Sequence, residues 1–203
     1  MNAALLDGMT ITGLLLVGGL SRRMGRDKAT LVVADQPLWA RQLSLLRQIK
    51  AAPIWVSARE QPDWAPADVQ VLLDTPPSRG PLSGITLALT TMTTSHLLAL
   101  AVDLPQLTAE YLEKLVALTP SAKGIVPCNK GREEPLTALY PKEAAALAHE
   151  ALASKDVSLR SFVRRLRLQN LLVEYRVTPQ ERVLHRNLNT PEDLVASTDN
   201  TNW

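Results

Sequence analysis

Apolar and polar positions along the chain switch repeatedly between a continuous run and a helical period, and the switching predicts alternating strands and helices. Ile11 to Val17 is an apolar-rich run, the pattern of a strand covered on both faces. Pro37 opens a segment through Lys50 in which Leu38, Trp39, Leu43, Leu46 and Ile49 line the inner side of a helix. Pro53 to Ala58 and Val69 to Leu73 read as two further strands, the second ending at Asp74. After the loop Pro76-Pro77-Ser78-Arg79-Gly80-Pro81, helical spacing returns at Leu82, Ile85, Leu89 and Met92. Leu97 to Val102 is the predicted central strand, ending at Asp103, and Thr108 is placed to cap a helix carrying Leu112, Leu115 and Val116.

Beyond Gly124 the pattern predicts short strands around Ile125-Val126 and from Leu136 to Tyr140. Helices follow from Pro141 to Ala153 and from Ser158 to about Leu166, then a strand from Leu171 to Tyr175. A short strand near Val183-Leu184 and a last helix from Thr190-Pro191 complete the expectation. The alternation argues for an α/β fold with a largely parallel sheet. It is read as a single domain over residues 1–203, with its core from about 11 to 196.

Three chemically loaded positions fall at one edge of that sheet. Asp74 and Asp103 each end a strand, and the first strand runs into Gly18-Gly19-Leu20-Ser21-Arg22-Arg23-Met24-Gly25-Arg26-Asp27-Lys28. In open α/β sheets ligands bind outside the carboxyl ends of the strands. Glycines let a backbone approach an anion and turn its N–H groups inward, while arginine and lysine neutralise charge. A phosphate-binding loop facing two carboxylates is the composition of a magnesium–nucleotide site. It is not a Walker A loop, because Lys28 stands three residues after Gly25 rather than between a glycine and a Ser or Thr. Neither the dinucleotide fingerprint nor a nucleophile elbow occurs in the chain.

Bulk properties narrow the class without changing it. A net charge of +2 gives no reason at whole-chain level to expect nucleic acid or a membrane as partner. The lone Cys128 rules out an intramolecular disulfide and a zinc cluster and fits a reducing compartment. His96, His149 and His185 are too far apart in sequence to form a metal-spaced pair, and they read as structural. Met1 to Thr10 lacks a basic leader and carries Asp7, and no apolar stretch has the length of a membrane span. The expected location is cytoplasmic.

The pattern Gly18-Gly19-x-Ser21-x-Arg23-Met24-Gly25-x-Asp27-Lys28 resembles the N-terminal motif of the molybdopterin nucleotidyltransferases, and most of all the molybdenum cofactor guanylyltransferases. The resemblance continues through Leu31 and Gln36-Pro37-Leu38, Gly80-Pro81-Leu82-Ser83-Gly84, Asp103-x-Pro105, Gly131 with Pro135-Leu136, and Asn187-x-Asn189-Thr190-Pro191-Glu192. It implies a Rossmann-like nucleotidyltransferase fold, a mostly parallel central sheet flanked by helices. It also implies a reaction in which the terminal phosphate of molybdenum-carrying molybdopterin attacks the α-phosphorus of GTP. Pyrophosphate leaves and molybdopterin guanine dinucleotide forms.

The same resemblance assigns roles. Val17, Gly18, Gly19, Ser21 and Gly25, with Arg23, would hold the triphosphate; Lys28 would stabilise charge at the α-phosphate; and Asp103 would hold Mg²⁺. Asp74 and the turn Gly80, Pro81, Leu82 and Gly84 would lie near base and ribose, and Asn187 and Asn189 on the pterin side. Gly18 stands where cytidylyl relatives carry alanine, which favours GTP. Transient contact with molybdenum-insertion or acceptor proteins is a further implication. The departures are Val17 for the usual alanine, Ser57 near a usual asparagine, and Glu134 before Pro135 in place of His or Gln.

Other readings stay open on the residues alone. The glycines could form a plain strand-to-helix turn, and Arg22 and Arg26 a solvated face. Arg160, Arg164, Arg165 and Arg167 read as a solvated helix face, or else as a receiver of the pterin phosphate. Asn187 and Asn189 could cap the last helix together with Thr190. A molybdopterin cytidylyltransferase or related small-molecule nucleotidyltransferase, and a non-catalytic nucleotide or cofactor carrier, are the alternative functions.

Overall fold

The chain builds one twisted mixed sheet with helices on both faces. The computed structural model describes residues 8–17, 27–74 and 78–188. Its elements are β1 (Ile11–Leu16), β2 (Val32–Val33), β3 (Gln36–Pro37), α1 (Leu38–Gln48), β4 (Ile54–Ala58), β5 (Gln70–Leu73), α2 (Pro81–Thr91) and β6 (His96–Ala101). They continue with α3 (Ala109–Leu118), β7 (Gly124–Asn129), β8 (Arg132–Glu133), β9 (Thr137–Pro141), α4 (Ala144–Ala153), α5 (Leu159–Leu168) and β10 (Leu172–Arg176). The strand order is β10-β7-β9-β6-β1-β4-β5, with β8 paired to β7 and a separate β2-β3 ribbon.

β1 pairs in parallel with both β4 and β6, and β4 in parallel with β5. Four carboxyl ends therefore share one edge, as the run lengths predict. β9 runs antiparallel to β6 and β7, while β10 is parallel to β7. Every residue of β1 and β6 is buried, which explains why both lack polar alternation. β6 lies fourth of seven in the path and is the central strand.

Two apolar layers hold the sheet. On one face Leu15, Val56, Leu98 and Leu100 pack against α1 and α3 through Leu43, Leu46, Leu112 and Leu115. On the other, Leu14, Leu16, Trp55 and Leu72 meet Ile85 and Leu89 of α2, with Tyr140 and Phe162 filling the space beneath α4 and α5. The predicted cap at Thr108 is present, its hydroxyl accepting the Tyr111 N–H at 3.3 Å. Ser158 caps α5 in the same way, taking the Ser161 N–H at 3.2 Å. Such a cap stabilises its helix by about 1 kcal/mol.

The strand expected near Val183-Leu184 is instead a 3-10 turn, Glu181–His185. The Glu181 carboxylate accepts the Thr178 N–H at 2.9 Å and closes the chain on itself, so an apolar pair becomes one side of a turn. The last helix expected from Thr190-Pro191 lies outside the described residues. The β2-β3 ribbon has no counterpart in the sequence reading. Its turn places Ala34 and Asp35 at φ of 49° and 62°, the primed-turn geometry usually signalled by Asn-Gly.

Candidate active site

At the carboxyl edge a lysine and an aspartate meet across two parallel strands. Lys28 opens a short 3-10 turn, Lys28–Thr30, that Asp27 caps by accepting the Ala29 N–H at 3.0 Å. Its Nζ lies 3.4 Å from Asp103 Oδ2, each side chain about one-fifth exposed at 20% and 21%. The second Asp27 oxygen takes the Trp64 indole N–H at 3.3 Å, and Trp64 stacks on Trp39 of α1 with ring centroids 5.1 Å apart. The turn is thus held from the loop beyond β4 as well as from its own cap.

The backbone around Asp103 is fixed on both sides. Its carbonyl accepts the Leu188 N–H at 2.9 Å, and the neighbouring Leu104 carbonyl accepts the amide of buried Gln42 at 2.8 Å. Among the described residues no three His, Cys, Asp or Glu side chains gather as a metal cage. Magnesium binds through one or two carboxylates and takes its remaining ligands from water and substrate phosphates. Asp103 alone, at the strand edge and beside a cation that an anionic substrate can also use, is a donor set of that kind.

A second carboxylate ends β5. Asp74 accepts the Ser78 hydroxyl at 2.7 Å through Oδ2 and the Ser57 hydroxyl at 3.4 Å through Oδ1. Leu16, Ser57, Arg59, Asp74, Ser78, Gly80 and Pro81 line a small cavity there. Gly80 ends the loop at φ +75°, ψ −158°, a conformation that L side chains rarely adopt, and Pro81 starts α2.

Asn187 lines a separate cleft of about 690 Å³ with Lys130, Arg132, Glu134, Arg160 and His185. Burial pushes the Glu134 carboxyl above the usual range, against the pull of Arg132 and Asn129. Burial also lowers His185 to about 4, so the imidazole is neutral and shares a 2.8 Å hydrogen bond between Nε2 and the Tyr111 hydroxyl. The cleft and the first edge are joined through the chain, because Asn187 directly precedes the Leu188 that holds Asp103. Of the α5 arginines, Arg160 lines the cleft, whereas Arg167 pairs with Glu133 and Glu174 at 3.2 and 3.1 Å.

Val17, Lys28, Asp74, Gly80, Pro81, Leu82, Gly84 and Asp103 all belong to the elements meeting at this edge, and Asn187 to the cleft. Gly18, Gly19, Ser21, Arg23, Gly25 and Asn189 lie outside the described residues. The sequence reading missed Arg59, Ser78 and the lining role of His185. Arg59 was accessible in principle, being two residues beyond Ser57 and so on the same face of the strand.

Known proteins resemble this chain in sequence and in fold. The family model described as MobA-like NTP transferase domain matches residues 13–171. The molybdenum cofactor guanylyltransferase of Rhodobacter capsulatus is 33% identical, the alignment covering 94% of this chain and 96% of that protein. The molybdenum cofactor guanylyltransferase of Rhizobium johnstonii is 31% identical, with 94% and 92% covered. The crystal structure of molybdopterin-guanine dinucleotide biosynthesis protein A from Archaeoglobus fulgidus has the same fold, with a TM-score of 0.69 at 22% identity over 93% of this chain and 97% of that one.

Proposed function

The chain belongs to the MobA-like NTP transferase domain family, and on that premise we propose that it transfers GMP from GTP to the terminal phosphate of molybdenum-carrying molybdopterin. An oxygen of that phosphate forms a bond to the α-phosphorus of GTP. The bond from the α-phosphorus to the oxygen bridging to the β-phosphate breaks, and pyrophosphate leaves with the electron pair. The product is molybdopterin guanine dinucleotide. Such a transfer needs no protein nucleophile; it needs positioning and neutralisation of charge.

The observation that carries the reading is Lys28 Nζ 3.4 Å from Asp103 Oδ2 at the carboxyl edge, in a chain aligned with guanylyltransferases over nine-tenths of its length. Lys28 faces the α-phosphate and offsets the charge that develops there. Asp103 would hold Mg²⁺, which when bound supplies positive charge to the triphosphate. Val17, with Gly18, Gly19, Ser21, Arg23 and Gly25 after it in the sequence, would hold the triphosphate. Asp74, Gly80, Pro81, Leu82 and Gly84 border the base and ribose, and Asn187 with Asn189 the acceptor. We place the reaction in the cytoplasm, with brief contacts to the proteins that deliver or receive the cofactor. Among the described residues no helix is long and apolar enough to cross a membrane.

The test is dinucleotide formation from molybdenum-loaded molybdopterin, magnesium and GTP, CTP or ATP in turn. The reading requires product from GTP alone and none from the Asp103→Asn variant. Product from CTP alone would move the chain to cytidylyl transfer. Tight GTP binding without product would favour a carrier.

A further inference from the structure

We infer that Gln42 of α1 is a positioning residue for Asp103: its buried amide fixes the peptide after the carboxylate and so sets where that carboxylate meets magnesium. The inference rests on the transfer reading above, through the metal role it gives Asp103, and adds a residue that touches neither substrate nor metal.

Leu38, Leu43, Leu45 and Leu46 bury the inner side of α1, and Gln42 stands among them with none of its surface exposed. Glutamine is mostly found at protein surfaces, and a fully buried one is expected to be hydrogen-bonded. Its Nε2 donates to the Leu104 carbonyl at 2.8 Å, across 62 residues of sequence. Among the described residues its Oε1 has no partner. A buried acceptor left unpaired opposes folding, so the amide is accounted for by what it holds rather than by stability.

It holds the turn that follows β6. Val102 donates to the Leu16 carbonyl at 3.2 Å, Leu188 donates to the Asp103 carbonyl at 2.9 Å, and Leu107 closes the turn on the Leu104 carbonyl at 3.2 Å. The Leu107 bond is internal to the turn and cannot orient it. Gln42 adds the side-chain tie from a neighbouring helix. The same helix seats Lys28. The Leu38 N–H donates to the carbonyl of Leu31, the residue that caps the Lys28–Thr30 turn, at 2.9 Å. Ala29 of that turn is fully buried, in one apolar layer with Leu38 and Leu104. α1 is therefore the common support of both charged groups, and Gln42 is its link to Asp103. Swinging the Asp103–Leu104 peptide carries the Asp103 side chain with it, and a misplacement of about 1 Å is costly at a reacting centre.

The experiment is calorimetric titration of the purified chain with GTP at a series of magnesium concentrations, for the wild type, Gln42→Met and Gln42→Leu. Both replacements are apolar and close in size to glutamine, and Leu104 keeps the Leu107 N–H. Urea unfolding should therefore show both variants folded, with midpoints near that of the wild type. Both should need about tenfold more magnesium for half of the tightening that magnesium gives to GTP binding, the low end of the range for outer groups that orient a metal ligand. In an Asp103→Asn background, Gln42→Met should leave the magnesium dependence unchanged, because the two residues act through one group. A magnesium profile equal to wild type in folded Q42M and Q42L overturns the positioning role and leaves the guanylyl reading intact. So does a shift of the same size in the Asp103→Asn background, or a lowered unfolding midpoint with no shift. A wild-type chain that binds GTP equally with and without magnesium overturns the metal role of Asp103 and the inference together. Binding of CTP and not GTP by the wild type overturns the guanylyl reading alone, and the same magnesium series run with CTP then decides on Gln42.

Discussion

Gly84 of α2 is pressed against Ser57 of β4: a β-carbon on Gly84 would overlap the Ser57 hydroxyl and lie 2.8 Å from its Cβ. Only a glycine lets the first turn of α2 approach β4 while Ser57 keeps its hydrogen bond to Asp74. Gly84→Ala should therefore turn Ser57 away from Asp74 or push α2 outward. Overpacking of this kind costs about 1–3 kcal/mol, to be read from urea unfolding. GTP affinity should fall with it. Adding Ser57→Gly should recover most of the stability, because it removes both clashing atoms, yet leave GTP binding weak because Asp74 has lost an anchor. Equal GTP affinity in wild type and Gly84→Ala would disconnect the helix approach from the site.

Lys28 and Asp103 separate binding from chemistry. The pair is partly exposed and 3.4 Å apart, so it adds about 1 kcal/mol or less to folding. On the proposed reaction its weight lies in the transfer step. Lys28→Met should lower kcat about 10²–10³-fold, the range for removing one preorganised group that meets developing charge. Its unfolding midpoint should barely move. Asp103→Asn should lose turnover while retaining some GTP affinity, measured by equilibrium titration beside the assay. Turnover of D103N equal to wild type would remove Asp103 from the metal role.

The site's skeleton was legible because buried parallel strands write themselves as apolar runs. Ile11 to Leu16 and His96 to Ala101 are each buried throughout, so the residues where those runs stop, and Asp103 among them, mark the ligand edge. Asp74 was legible as the carboxylate ending the apolar run Val69 to Leu73, although within β5 only Leu72 is buried. What was not legible depended on contacts between distant segments. Ser57 as the anchor of Asp74 requires knowing that β4 and β5 are neighbours. The Val183-Leu184 pair carries no periodicity of its own, and a carboxylate two residues earlier in the chain decided its shape. Ala34-Asp35 hides a hairpin because Asp35 favours a turn but Ala34 does not and no glycine follows, the positive φ angles flanked by the pairing of Val33 with Gln36.

Trp64 reaches Lys28 through Asp27. Its indole N–H donates to one Asp27 oxygen at 3.3 Å while the other oxygen caps the turn that carries Lys28. Trp64→Phe keeps a ring against Trp39 and removes only the donor, so it should cost about 1 kcal/mol or less. A several-fold loss of kcat with little change in KM is expected, because the turn loosens without losing a substrate contact. Trp64→Ala also loses the stack, adding about 0.5–1.5 kcal/mol to the cost. A double-mutant cycle with Asp27→Asn checks the route: coupling of the two losses in kcat supports it, and strict additivity contradicts it.

His185 sets an acid limit on stability that begins above the range where carboxylates titrate. Burial lowers its pKa to about 4 from 6.5, and the residue is only 7% exposed, so it is neutral in the fold. The unfolded chain binds a proton there below pH 6.5 and the folded chain does not. Stability must therefore fall as pH drops from about 6.5 towards 4, by roughly 3 kcal/mol over the full window. Buried His96 is shifted in the same direction and adds to the slope. Glu181 acts lower down. Burial alone would raise its carboxyl, but hydrogen bonds from Lys114, the Thr178 N–H and Tyr175 outweigh that and hold it at about 2. Its contribution is complete above pH 4.5 and is lost as pH falls through 2. Between pH 4.5 and 6.5 the histidines lower stability as pH falls, while Glu134, its carboxyl raised by burial, works in the opposite sense. His185→Gln, whose amide oxygen can still accept the Tyr111 hydroxyl, should flatten urea-unfolding free energy against pH in that interval while leaving the fall below pH 4.5 in place. An unchanged slope between pH 4.5 and 6.5 in this variant would mean that the imidazole is not held neutral beside the cleft.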